Sequence, residues 1–269
     1  MRVAFQGEPG AYSEQAVFNY FGNVETLPCE SFDVVFDSVT NDSCDAGLIP
    51  VENSLAGSIH QNYDLLLRHD LHIVGEYLLR VQHCLIALPG VKKEDIKKAI
   101  SHPQALGQCA AYLRNLGIKP ETVYDTAGSV KMLKASGERT TAAIASRRAA
   151  ELHEMQILEE GIEDNAENYT RFLAISKTAV KPDGEAKTSI VFTLKNQPGS
   201  LFKAMSVFAL RDIDLTKIES RPLAGKPWEY LFYIDFVGAR EDETVKRALD
   251  HLGEYALMLR VLGSYPRFK

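Results

Sequence analysis

The feature that most constrains this chain is a break in its pattern at Lys177–Thr188, "KTAVKPDGEAKT". The stretch is polar, has Pro182, Asp183 and Gly184 at its centre, and reads as a linker. Before it, short apolar strands alternate with helical patterns, which predicts an α/β sheet with crossover connections. After it, six segments follow in the order strand, helix, strand, strand, helix, strand, the βαββαβ signature of a ferredoxin-like domain. A chain of 269 residues has room for both parts.

The upstream part opens with the strand "RVAF", the turn "QGEPGAYS" and a helix from about Glu14 to Phe21, stopped by Gly22. "DAGLIPV" is a buried strand. In "ENSLAGSIHQNYDLLLRH", Ile59, Tyr63, Leu66 and Leu67 recur at helical spacing. "HIVGEYLLRVQHCLIAL" predicts one or two long strands. "SHPQALGQCAAYLRNLG" predicts one helix with Leu106, Cys109, Ala110, Leu113 and Leu116 on one face. "TAGSVKMLKASG" and "SRRAAEL" read as helices and "TAAIAS" as a strand. Downstream, "SIVFTL" is a strand. "SLFKAMSVFALRD" is an amphipathic helix with Leu201, Phe202, Met205, Phe208 and Ala209 inside. "LTKIESRPL" and "YLFYIDFVG" are strands flanking the turn "AGKPWE". The helix "DETVKRALDHL" and the strand "MLRVLGSYP" close the chain.

With 45% hydrophobic and 25% charged residues, the composition is that of a soluble globular protein. A net charge of -6 and the lack of a basic tract argue against a nucleic-acid partner. No apolar run approaches the roughly 18 residues of a membrane span, and "MRVAFQGEPG" lacks the core of a signal peptide. Cys29, Cys44, Cys84 and Cys109 are scattered, with no C-x-x-C pair, so reduced thiols in the cytoplasm and no structural metal are expected. Neither a phosphate-binding loop nor a dinucleotide fingerprint occurs, and no cofactor is expected. The G-x-S-x-G elbow of one hydrolase class is also absent.

Four polar clusters fall where strands meet helices, the place where open α/β folds bind ligands. In Gly7–Ser13, Ser13 is placed to cap the following helix, and a plain turn is the alternative. In "PVENSLAGS", a buried strand ends in Glu52, Asn53 and Ser54 and a helix begins. Its free N–H groups suit a carboxylate or a phosphate, with simple capping and a solvated Glu52 as the alternative. In "SHPQALGQC", Ser101 or His102 caps a helix that starts at Pro103, and Gln104 points from the first turn. His102 has no visible carboxylate to orient it and reads as structural. In "ENYTRFLAIS", side-chain alternation puts Asn168, Thr170 and Phe172 on one face of a strand and Tyr169, Arg171 and Leu173 on the other. Hydroxyls, amides and helix ends suit a dianionic acid and chemistry that needs only positioning and hydrogen-bond donation.

Taken in order, "GxxGxYS", "IPVENSLAGS", "SHPQALGQC" and "NYTRF" resemble the prephenate dehydratase family, and "GSLFKAMSVFALRDIDLTKIESRP" resembles its C-terminal ACT domain. The resemblance implies a catalytic region over residues 1–178, two-lobed like a type II periplasmic binding protein. One lobe would hold 1–79 with 163–178 and the other 80–162, and the ACT domain would cover 188–269. It implies conversion of prephenate to phenylpyruvate with loss of water and carbon dioxide, and L-phenylalanine as a feedback effector. Thr170 is then the key catalytic group, donating to the departing ring hydroxyl. Asn53 and Ser54 bind carboxylate. Ser101, Gln104, Asn168 and Gly57 line the cleft, and Arg171 lies near the substrate. The effector region is Asn196–Phe202 with Glu219–Pro222. There Gly199 lets backbone reach the amino-acid head group, Ser200 opens a helix toward its carboxylate, Leu201 and Phe202 face its ring, and Ser220 and Arg221 stand on the opposing strand. A homodimer or homotetramer is expected. "SIHQNYDLLLRHDLHIVGEY" and "DTAGSVK" are similar to the arogenate-using branch, so arogenate is an alternative substrate. Other readings are a non-enzymatic sensor of small acids and amino acids, or a transferase carrying an ACT domain.

Overall fold

The structure is a computed structural model, and it describes every residue except Ala224, Pro227 and Lys269. Two residues of the expected "AGKPWE" turn therefore lie outside the described residues. The chain divides into two compact units, Met1–Leu65 with Tyr77–Phe172, and Leu66–Glu76 with Leu173–Lys269.

The first lobe begins with β1 (Arg2–Gln6), α1 (Tyr12–Phe21), β2 (Glu25–Cys29), α2 (Phe32–Thr40), β3 (Ala46–Asn53) and β4 (Gly57–Ser58). α3 (His60–Arg68) and β5 (His72–Arg80) follow. β1 pairs in parallel with β2 and β3, and Val3, Phe5, Leu48, Ile49 and Val51 are wholly buried. Such continuous apolar runs suit a sheet covered on both faces.

The second lobe holds β6 (Cys84–Ala87), β7 (Lys98–Ser101), α4 (Pro103–Gln108), α5 (Ala110–Asn115), β8 (Lys119–Thr122), α6 (Thr126–Ser136), β9 (Thr141–Ala145), α7 (Arg147–Leu152) and β10 (Gln156–Glu160). Its sheet order is β10-β6-β9-β7-β8. Alternation along the strands splits its core. Leu85, Ala99 and Ile144 pack with Leu106, Cys109 and Leu113, while Ile86, Ala143 and Ala145 pack with Val130, Leu133 and Ala149. The chain then returns through β11 (Tyr169–Ser176), which completes the first lobe's sheet in the order β2-β1-β3-β11-β5. The two lobes are thus joined by two crossings, at residues 81–83 and 161–168.

The second unit carries β12 (Ala186–Leu194), α8 (Ser200–Ala209), β13 (Leu215–Pro222), β14 (Tyr230–Val237), α9 (Glu243–Tyr255) and β15 (Ala256–Pro266). The antiparallel order β13-β14-β12-β15 is the ferredoxin-like arrangement read from the sequence. Ile190, Phe192, Ile234 and Phe236 meet Phe208 of α8 and Leu252 of α9.

Several local expectations change. α1 starts at Tyr12 with Ala11 as N-cap, so Ser13 sits inside the helix and caps nothing. β2 and α2 add to the elements the sequence pattern predicts; β2 contains Pro28 and shows no clean alternation. The expected helix at "SHPQALGQCAAYLRNLG" is two short helices broken at Cys109, and Leu116 is exposed. β12 begins at Ala186, inside the stretch read as linker. On α8 the face that meets the sheet is Ala204, Val207 and Phe208. Phe202 lies two residues, about 200°, from Ala204 and is 77% exposed; Leu201 and Ala209 are exposed as well.

Candidate active site

β3 ends at Asn53, and the backbone then turns instead of entering a helix. Asn53 Oδ1 accepts from the N–H groups of Leu55 (3.0 Å) and Ala56 (2.9 Å), and Gly57 pairs back on Asn53 to form the β3–β4 hairpin. Gly57 has φ +82°, a conformation that favours glycine. The first helical residue is His60, so the expected helix start after Asn53 and Ser54 is corrected to a side-chain-capped turn.

The two backbone donors on Oδ1 fix the orientation of the Asn53 amide. Its Nδ2 therefore faces β11, donating to Asn168 Oδ1 (2.8 Å), Thr170 Oγ1 (3.0 Å) and Tyr169 O (3.2 Å). Thr170 thus uses a lone pair to accept, and its own hydroxyl hydrogen has no acceptor among the described residues. Asn168 is 1% exposed, and its Nδ2 has no partner among the described residues. An unsatisfied buried donor costs about 1–3 kcal/mol, which a ligand acceptor would recover.

These groups border a cavity of about 320 Å³ whose wall includes Asn53, Gly57, Gln104, Asn168 and Thr170. A larger space of about 930 Å³ adjoins it, and Tyr12, Ser13, His102 and Thr126 border both. The larger space is rimmed by Glu8, Glu30 and Asp125, an unsuitable lining for a dianion, so the smaller cavity is the candidate site.

Three expected residues stand elsewhere. Ser101 is fully buried and donates to Ile144 O at 2.6 Å, tying β7 to β9 and not lining either cavity. Ser54 donates to Glu167 O (2.8 Å) and accepts from Tyr169 N (2.9 Å), so it clamps the chain on both sides of Asn168, where it enters the strand that carries Thr170. Arg171 is partly buried on the opposite face of β11 and lines neither cavity. His102 is the N-cap of α4, its Nδ1 accepting from Gln104 N at 3.2 Å.

Sequence reasoning missed a second polar group in the wall. His83 Nε2 lies 2.7 Å from Gln108 Oε1, and Tyr12 Oη lies 2.7 Å from His83 Nδ1. Burial lowers the His83 pKa, favouring the neutral ring, and burial raises that of Tyr12. With Gln108 accepting from Nε2–H, the bare Nδ1 accepts a hydrogen bond from the Tyr12 hydroxyl, whose single hydrogen is shared with Gln82 O at 3.0 Å. The backbone N–H of His83 donates to the buried carboxylate of Glu163 at 2.9 Å. The signal was present in "GAYS" and "GQC", but partners 71 and 25 residues apart cannot be matched by spacing.

The lobes also meet beside the larger space. Ser146, the N-cap of α7, donates to Gly10 O at 2.6 Å, and Glu14 accepts from Gly10 N (2.8 Å) and approaches Arg148 Nε (3.5 Å). Among the described residues no group of three His, Cys, Asp or Glu side chains gathers to hold a metal ion.

In the second unit, Asn196, Ser200 and Leu201 border a cavity of about 110 Å³ with Trp228, Tyr230 and Phe232. Gly199 is the N-cap of α8, with φ +80°. Phe202, Glu219, Ser220 and Arg221 are outside that wall.

Fold and site together define a two-lobed α/β protein with a polar-lined cavity and an appended ferredoxin-like domain. The model of the prephenate dehydratase family matches residues 3–180, and that of the ACT domain matches residues 188–254. The chain belongs to the prephenate dehydratase family and carries a C-terminal ACT domain. It is 50% identical over 277 residues to "Arogenate dehydratase/prephenate dehydratase 2, chloroplastic" of Arabidopsis thaliana, covering 99% of this chain and 73% of that protein. To "Arogenate dehydratase 2" of Petunia hybrida it is 48% identical over 282 residues, covering 99% and 72%. Among solved structures, one described as GqqA, a novel type of quorum quenching acylase, aligns at TM-score 0.93 and 35% identity, covering 100% of this chain and 98% of that one. Prephenate dehydratase from Arthrobacter aurescens, in complex with L-Phe, aligns at TM-score 0.89 and 30% identity, covering 99% and 90%.

Proposed function

We propose that the protein converts prephenate to phenylpyruvate, with Thr170 as the hydrogen-bond donor to the departing hydroxyl. The observation that carries this reading is the Asn53–Thr170 bond, which occupies an acceptor site on Oγ1 and leaves its proton for a ligand. In the reaction, the C–C bond to the ring carboxylate breaks and releases carbon dioxide. Its electron pair enters the ring, and the C–O bond to the ring hydroxyl breaks. The leaving oxygen takes a proton through the Thr170 hydroxyl, which is replenished from solvent, and departs as water. Aromatisation supplies the driving force, so positioning and donation suffice. Asn53 orients the donor, and Asn168, Gln104 and the Gly57 turn offer groups to the substrate carboxylates. Arogenate is the second reading, favoured by its appearance in the names of relatives at about half identity.

L-Phenylalanine is the proposed effector, held in the cavity at Asn196, Ser200 and Leu201. The L-Phe complex of the Arthrobacter relative supports phenylalanine as the ligand, and the start of α8 at the wall of that cavity supports its place. The exposed side chains of Phe202, Ile218 and Leu257 support a homo-oligomer built through the ACT domain. Four buried, unpaired cysteines suit a reducing compartment such as the cytoplasm.

The test is incubation of purified protein with prephenate and, separately, arogenate, following phenylpyruvate and phenylalanine. An amide-hydrolysis assay run alongside separates this reading from the acylase activity named for one neighbour. Turnover of neither acid overturns the reading. Thr170→Ala is expected to lower kcat by about 10²–10⁴-fold while keeping KM within a few-fold, and normal turnover by that variant removes the donor assignment.

A further inference from the structure

α3 is one uninterrupted helix shared by both compact units: His60–Leu65 count with the first and Leu66–Arg68 with the second. Its first turn follows Gly57, Ser58 and Ile59, which border the candidate site. Fully buried Asn62 donates Nδ2 to Pro50 O at 2.6 Å, and Pro50 borders the same cavity. Ile59 N donates to Val51 O at 2.9 Å, and Asn62 N to Ile59 O at 3.2 Å. A displacement of the helix is therefore passed to the cavity wall through hydrogen bonds.

The other end of α3 is held by β15. The last carbonyls of a helix lack partners within it. Arg260 donates Nη1 to Leu67 O (3.1 Å) and Nη2 to His69 O (2.8 Å), and approaches Asp70 Oδ1 (3.4 Å). A cation suits this negative helix end, and the rigid guanidinium fork fixes both carbonyls at once. Further along, buried Glu76 pairs with Lys187 of β12 at 2.6 Å. A Cβ at Gly263 would overlap the Ile73 carbonyl, so the backbones touch there. Beyond Lys187, β12 continues to its last residue, Leu194, which borders the proposed effector cavity.

We propose that Arg260 is a positioning residue, through which the ACT domain sets α3 and thereby the Gly57–Ile59 wall of the cleft. This rests on the reading of L-phenylalanine as effector. A ligand at Leu194 that shifts β12 and β15 moves the guanidinium, and the α3 carbonyls follow. The hairpin that holds Asn53 against Gly57 then changes with the helix.

Trp228 is the chain's single tryptophan and borders the effector cavity, so its fluorescence reports occupancy independently of turnover. For Arg260→Met, the fluorescence midpoint for L-phenylalanine is expected within about fivefold of the original protein, while half-inhibition requires at least about tenfold more effector. Arg260→Lys, which retains a donor to one carbonyl, should fall between the two. Inhibition and fluorescence curves that superimpose on those of the original protein would overturn the proposal. If the unmodified protein shows no fluorescence response to L-phenylalanine, the effector reading itself falls. Hydrogen exchange then decides the link: faster exchange over residues 57–65 in Arg260→Met supports it, and a change confined to residues 66–70 sinks it. Should Arg260→Met not fold, Arg260→Lys is judged by the same criteria.

Discussion

Replacing Asn53 by aspartate is the sharpest probe of the site, because it keeps size and shape and inverts one hydrogen-bonding group. Oδ1 still accepts from Leu55 and Ala56, so the turn survives. The second oxygen now sits where Nδ2 was, 2.8 to 3.2 Å from three acceptors. Two of them can adapt. The Asn168 amide can turn to present its unpartnered Nδ2, and the Thr170 hydroxyl can donate to the new carboxylate. The fold should lose only about 1 kcal/mol, the net value of one hydrogen bond. The chemistry loses more. The Thr170 proton is then held by a charged acceptor, a bond worth about 1.5–3 kcal/mol that must break before the proton serves the substrate. That corresponds to a fall in kcat of about 10- to 150-fold. The added negative charge should also raise KM for a dianionic acid. Steady-state kinetics with prephenate, alongside thermal unfolding, measures both. In Asn53→Asp, the further change Thr170→Ala should cost less than it does alone, because the donor is already diverted. A kcat within about threefold of the original enzyme, or full additivity of the two substitutions, would refute the reasoning.

Three further outcomes are expected. Gly10→Ala should destabilise the protein by about 1–3 kcal/mol in thermal unfolding, because φ is +91° and the new Cβ would lie 3.0 Å from the Ala149 backbone. Lys187→Met should cost about 3–5 kcal/mol by removing the ammonium that pairs with the buried Glu76 carboxylate at 2.6 Å, and adding Glu76→Gln should restore part of that in the same assay. Burial lowers the His83 pKa below the free value of about 6.5, so only the unfolded chain gains a proton first as pH falls. Its contribution to stability is therefore complete above about pH 6.5 and declines as pH drops toward the folded pKa. The fall in Tm from pH 7.5 to pH 5 should be shallower in His83→Gln than in the original protein, and an equal slope contradicts the assignment.

Local pattern settled a good deal here. The βαββαβ order of the C-terminal unit follows from apolar periodicity and turn residues alone, and the α/β character of the first part follows from strands alternating with helices. Alternation along β11 put Asn168 and Thr170 on one face and Arg171 on the other, since a strand allows its side chains two directions only. What it left open depended on partners distant in sequence. The hydroxyls of Ser54 and Ser101 looked as available as that of Thr170, until Glu167 and Tyr169 took the first and Ile144 the second. The turn at Asn53 looked like a helix start because both need a side-chain oxygen to accept backbone N–H groups; the hairpin was decided by pairing with Gly57. Tyr12, His83 and Gln108 became one group only when two crossings of the chain brought three segments to one wall. The sequence by itself determined which elements form and which way their side chains alternate, because those depend on neighbours a few residues away. Only the tertiary structure decided which polar groups are already satisfied and which keep a proton or a donor for a ligand, because a hydrogen bond is settled by whichever group arrives within 3 Å, however far away it lies in the chain.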